Sequence, residues 1–178
     1  MDLRVKRTKK SISDAYVELR SKKPLEKITI KELADLAFIN KATFYQHYKD
    51  IYDLADAAEN ELINEIVKNM PDPELIISEP KHGFEQLIRA VLMQSSMIDI
   101  IFSGSRRPLL SLKLEESIKE LIYRKYPDYK DDMEKDVLFT VLIQGTIQAF
   151  IRYSKETPDR VIEILGRIND KLLSSYDL

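Results

Sequence analysis

Residues 28–48 read ITIKELADLAFINKATFYQHY, two short helical patterns separated by a turn. Thr29 is placed to accept a hydrogen bond from the N–H of Glu32, and Glu32 to reach back to the N–H of Thr29, which is the reciprocal pattern of a capping box. Ile28 and Leu33 flank the cap where a hydrophobic staple forms, so a helix is expected from Ile30. Ile30, Leu33, Ala34 and Ala37 recur at helical spacing, with Lys31, Glu32 and Asp35 on the remaining face. Asn40 offers a second cap, and Lys41 to Tyr48 reads as another helix with Phe44 and Tyr48 one turn apart and facing inward. Its other side carries a cation, a methyl, a phenol and an amide, from Lys41, Ala42, Tyr45 and Gln46, a mixture suited to phosphates and base edges. On spacing alone, an ordinary helical hairpin is the competing reading.

Charge separates the two. Residues 1–50 contain 12 Lys and Arg against 7 Asp and Glu, whereas residues 51–178 contain 16 against 23, so a total of −2 conceals a basic end and an acidic one. That asymmetry suits a chain of which only one part meets a polyanion. Upstream, residues 4–22 form an amphipathic helix with Val5, Thr8, Ile12, Ala15, Tyr16 and Leu19 on one side. Arg4, Lys6, Arg7, Lys9 and Lys10 lie largely on the other, where each taken singly reads as a solvated charge. Lys23-Pro24 closes this helix.

The run ELADLAFINKATFYQHYKDIYDL, Glu32 to Leu54, resembles the DNA-binding signature of the TetR family of transcriptional regulators. The resemblance reaches from the first helix to about Ala58, roughly a third of the chain, and departs at Phe38, where the family's turn usually has Gly. It implies that Lys41 and Ala42 open the recognition helix and face the major groove. Thr43 and Tyr45 would then contact phosphate or adjacent bases, His47 the backbone near the helix end, and Lys49 a phosphate before the next helix. Lys31 matches a position that often reaches a base, and Thr29 and Asn40 double as caps and phosphate contacts. For His47 a packing or capping role is the alternative.

The rest of the chain reads as helical. Asp50 caps a helix to about Asn69, which Pro71 and Pro73 end, leaving an irregular connection to Pro80. Helices follow around Phe84–Leu92, Met97–Phe102 and Leu114–Ile122, another begins near Asp131, and the last opens at Thr157-Pro158. Val137–Ile151 is apolar around most of its circumference, but it is too short and too often interrupted by amides for a membrane span. Gly145 and Ala149 on it allow a second helix close, and Val161, Leu165, Ile168 and Leu172 form a seam on the last helix. In the resembled family the two C-terminal helices of each subunit form a four-helix homodimer interface, which these residues are positioned to supply.

The expected fold is therefore all-α, with a three-helix helix-turn-helix head at 1–54 and a helical effector and dimerisation domain at 55–178. The expected function is a TetR-type repressor that binds double-stranded DNA at a palindromic operator as a homodimer and is released by a small-molecule effector. The alternative is a coactivator or interaction module of the same fold whose C-terminal domain binds a protein. The resemblance puts an effector pocket among the C-terminal helices, with Phe84, Met93, Met97, Phe102, Gln144 and Gln148 as candidates; ordinary core is the competing reading for the Met and Phe positions. Gln144 and Gln148 stand apart because a buried amide needs partners, from a ligand or another subunit.

Enzyme classes fare poorly. Two histidines, His47 and His82, and no cysteine leave no basis for a His-rich or thiolate metal site, and four scattered glycines form no phosphate loop. No cofactor is implied. The loop Ser103–Pro108 offers Arg106 and Arg107 to an anion, against an ordinary connection between helices. A basic, polar N-terminal region with no apolar run behind it argues against a signal peptide, and a cytoplasmic location is expected.

Overall fold

The computed structural model describes residues 3–70, 72 and 74–176. Among the described residues the regular structure is helical and there is no strand. Ten α-helices follow in order: α1 Leu3–Arg20, α2 Ile30–Leu36, α3 Lys41–Tyr45, α4 Ile51–Lys68, α5 Leu75–Ser78, α6 Pro80–Met93, α7 Ser95–Ile101, α8 Leu109–Lys125, α9 Met133–Tyr153 and α10 Pro158–Leu173. Pro71 and Pro73, read as the stop after α4, lie outside the described residues.

The chain divides into two compact units. Residues 1–62 and 96–107 form the first, and residues 63–95 and 108–178 the second. In the first, α2 packs against α1 and α3. Ile12, Tyr16, Leu33, Ala34, Phe44, Leu54 and Ala55 are buried, which is the inward face that the helical spacing predicts. Arg20 is buried too. Its guanidinium donates to the carbonyls of Ile101 (3.3 Å) and Ser103 (3.2 Å) and to the Ser103 hydroxyl (2.6 Å), tying the end of α1 to the segment after α7. Arg106 grips α4 through both carboxylate oxygens of the fully buried Glu59, at 2.6 and 2.7 Å, and also pairs with Asp56. Arg107 pairs with Asp99 at 2.8 Å. Both arginines of this loop are thus engaged inside the chain, which removes the basis for reading it as an anion holder.

In the second unit α6 packs on α10 and α5, and α9 on α8 and α10. Two glycines make the close approaches. A Cβ on Gly83 would fall 2.3 Å from the backbone N of Ile76, so α5 lies directly on α6, and a Cβ on Gly166 would meet Lys81 at 3.0 Å. The segment expected to be irregular up to Pro80 therefore contains one helical turn, α5, in which Ile77 and Ser78 donate to the Glu74 carbonyl. One turn is too short to leave a periodic signature in the sequence. Between α8 and α9, Glu115 accepts from Thr140 (2.6 Å) and Gln144 (2.6 Å) and pairs with Lys119 (2.9 Å), while Asp136 accepts from Lys119 (2.7 Å) and Tyr123 (2.6 Å). This network gives half-buried polar groups their partners within the unit. No described helix is long and apolar enough to cross a membrane.

Candidate nucleic-acid interface

The local chemistry of residues 28–54 sets three consecutive helix starts. Thr29 forms a complete capping box: the Glu32 N–H donates to Thr29 Oγ1 at 3.2 Å, and the Thr29 N–H donates to Glu32 Oε2 at 3.2 Å. Glu32 is also held by Lys23 at 2.7 Å, and these hydrogen bonds keep its carboxyl below the usual range, first through Lys23 and then through Thr29. Asn40 Oδ1 accepts from the Thr43 N–H at 2.7 Å and from its hydroxyl at 3.0 Å, which starts α3. Asp50 Oδ1 accepts from the N–H groups of Tyr52 (2.8 Å) and Asp53 (2.9 Å), and Asp53 in turn accepts from the Lys49 N–H at 2.9 Å. Each cap satisfies donors that a helix start otherwise leaves open.

The helix α3 is shorter than the eight residues expected. After Tyr45 the N–H groups of both His47 and Tyr48 turn back onto the Phe44 carbonyl. Phe44 is fully buried, with Tyr45 edge-on at 5.5 Å and Tyr48 at 5.8 Å between ring centroids. Tyr48 is half-buried, and Lys9 Nζ of α1 lies 6.0 Å from the centre of its ring. Ser11 of α1 donates to the Ala37 carbonyl at 2.8 Å, fastening the turn.

With the inner side so occupied, Thr29, Lys31, Asn40, Lys41, Ala42, Tyr45 and Lys49 are exposed, and Thr43 and His47 are intermediate. Lys31, Lys41 and Lys49 have no ion-pair partner among the described residues. Several lysines elsewhere are neutralised: Lys22 by Glu18, Lys119 by Glu115 and Asp136, Lys125 by Glu74, and Lys135 by Asp132. On α2, on α3 and just after it, the chain thus exposes a phenol, an amide and three lysines without ion-pair partners, while Phe44 is held inside. Such a surface can offer charge to phosphates and hydrogen bonds to base edges.

The residues read as a pocket are spread between the two units. Phe102 is fully buried and Met97 half-buried in the first; Phe84 is buried and Met93 exposed in the second. Gln144 donates to Glu115, and Gln148 donates to the Ser111 hydroxyl at 3.1 Å. Of the residues read as a dimer seam, Leu165 is buried, and Val161 and Ala149 pack against the cluster of Ile88, Phe150, Ile162 and Leu165. Ile168, Leu172 and Gly145 face outward, and a Cβ on Gly145 would meet nothing within 4 Å. The outward row extends beyond Gly145, Ile168 and Leu172. Met133, Val137 and Val141 precede Gly145 on α9, and Ile164 and Tyr176 extend the row of Ile168 and Leu172 at the end of the chain. Their spacing of four was the available signal. A groove of about 510 Å³ runs along Val137, Val141, Leu172 and Tyr176. Among the described residues no group of His, Cys, Asp and Glu could hold a metal ion.

Among known proteins, no protein-family model and no curated protein matches the chain.

Proposed function

We propose that the protein is a sequence-specific DNA-binding transcriptional regulator of TetR type, working as a homodimer on a palindromic operator. The observation that carries this reading is the trio of exposed, unpaired lysines, Lys31, Lys41 and Lys49, on and beside a short helix that Asn40 caps and Phe44 anchors. In this reading Lys31, Lys41 and Ala42 read bases, Thr29, Asn40, Thr43, Tyr45, His47 and Lys49 grip the backbone, and α1 adds its basic face. The outward apolar row of α9 and α10 supports pairing of two copies, since exposed rows of this length on a helical unit call for a partner. Two heads about one DNA turn apart bind a palindrome far more tightly than one.

The second unit has two readings. Release by a small molecule follows from the family resemblance. The amides of Gln144 and Gln148 are already bonded to Glu115 and Ser111, which takes away the unsatisfied amides a small-molecule site would use; the alternative is a unit that answers to a protein partner. Fluorescence anisotropy with a labelled mixed-sequence duplex tests the DNA-binding reading. Affinity should fall with salt at about 0.9 log units per log unit for each phosphate neutralised. Absence of binding at low salt overturns the reading.

A further inference from the structure

The turn between α2 and α3 contains the one described non-glycine residue with a positive φ, Phe38 at +56°. The backbone requires that conformation. Beyond the last turn of α2 the Ile39 N–H donates to the Ala34 carbonyl at 3.0 Å and the Phe38 N–H to the Asp35 carbonyl at 3.3 Å, the pair of bonds of a Schellman cap whose C′ position is left-handed. Glycine adopts this geometry freely and asparagine at little cost, whereas a Cβ meets the neighbouring carbonyl oxygen. The ring gains nothing from this chain in return, because Phe38 is 94% exposed. Phenylalanine here is unfavourable twice, in backbone conformation and in apolar surface held in water. Two residues later Asn40 caps α3, and Lys41 and Ala42 stand exposed on its first turn.

We propose that Phe38 is a DNA-contacting specificity residue, its ring covered on binding by a thymine methyl at the edge of the half-site that α3 reads. Apolar contact with the C5-methyl is the means by which a phenylalanine distinguishes thymine in the major groove. The inference rests on the DNA-binding reading. A thymine is favoured over a protein partner because the strained residue sits in the turn that delivers the α3 cap and its free lysine.

The test uses the full chain and the highest-affinity duplex from random selection, with Phe38→Gly and Phe38→Asn. Both variants should melt at a higher temperature than the parent, since the strain is relieved, yet bind that duplex about tenfold more weakly. Uracil in place of half-site thymines should weaken the parent at one position and leave Phe38→Gly unaffected there. A purely structural Phe38 gives the reverse pattern: affinity unchanged or improved in Phe38→Gly and the same uracil response in both, which overturns this inference while leaving DNA binding intact. Failure of the parent to bind any duplex overturns the DNA-binding reading itself and this inference with it.

Discussion

Replacing Ile168 by Glu puts a carboxylate on the outer face of α10, where Ile168 is 48% exposed. Within one copy the change should alter stability by no more than about 0.5 kcal/mol, since the side chain already stands largely in water. The consequence in a pair is different. The exposed fractions of Met133, Val137, Val141, Ile164, Ile168, Leu172 and Tyr176 amount to roughly 600 Å² per protomer, so a two-fold pairing of these rows buries about 1,200 Å², the lower bound of a specific interface. A two-fold axis presents the substitution twice. An unpaired carboxylate costs several kcal/mol to desolvate, so even at a lower bound of about 2 kcal/mol each the pair loses at least about 4 kcal/mol, a thousandfold or more in Kd. Light scattering coupled to size exclusion at micromolar concentration should find the parent dimeric and Ile168→Glu monomeric, with unchanged helical circular dichroism and a similar Tm. A variant that dimerises as tightly as the parent, or a parent that is monomeric, refutes the assignment of this face.

Gly83→Ala should destabilise the chain by about 1–3 kcal/mol, lowering Tm by several degrees, because the new methyl meets the α5 backbone; Gly145→Ala, with open space around it, should stabilise the monomer by up to about 1 kcal/mol. Burial lifts the Tyr16 phenol to about 12, with Arg20 opposing. Its folded pKa is thus above the unfolded value of about 10, so the stability from keeping it neutral is complete below pH 10 and is lost as pH rises toward 12. Tyr48 and Tyr123 are raised in the same direction, so the Tyr16 share is read by difference: in denaturant titrations Tyr16→Phe should lose about 2–3 kcal/mol less than the parent over that window. The same substitution should cost little at pH 7, since the Tyr16 hydroxyl has no hydrogen-bond partner among the described residues. Lys49→Ala should weaken binding to all duplexes and reduce the salt slope by about one, whereas Lys41→Ala should change the preferred sequence; an unchanged slope or an unchanged preference counts against the respective role.

The helix starts were legible because their signals are local: Thr29 with Glu32 and Asn40 with Thr43 cap within four residues, and Pro158 marks the first position of α10 although Thr157 makes no cap hydrogen bond. Buried faces followed from spacing for the same reason, as Phe44 and the Leu33–Ala34 pair show. What spacing does not encode is which of two apolar stripes meets the chain's own neighbours. On α10 the 161–165 part of the expected seam packs inward while Ile168 and Leu172 face out, because α6 and α9 take up one side only. The joining of residues 96–107 to the N-terminal helices was equally illegible, as it depends on Arg20 and Arg106 reaching across more than 40 positions of sequence. At Phe38, where the turn of the resembled family usually has Gly, the Schellman bonds and φ +56° keep the left-handed backbone that glycine suits and place the strain on phenylalanine.

Whether the chain reads DNA sequence is decided by selection of binding sites from a random duplex pool at low salt. A homodimer that reads DNA through α3 should enrich a palindrome with half-sites about one helical turn apart, and lose the enriched bases when Lys41 is replaced. A pool that stays random through repeated rounds contradicts that reading.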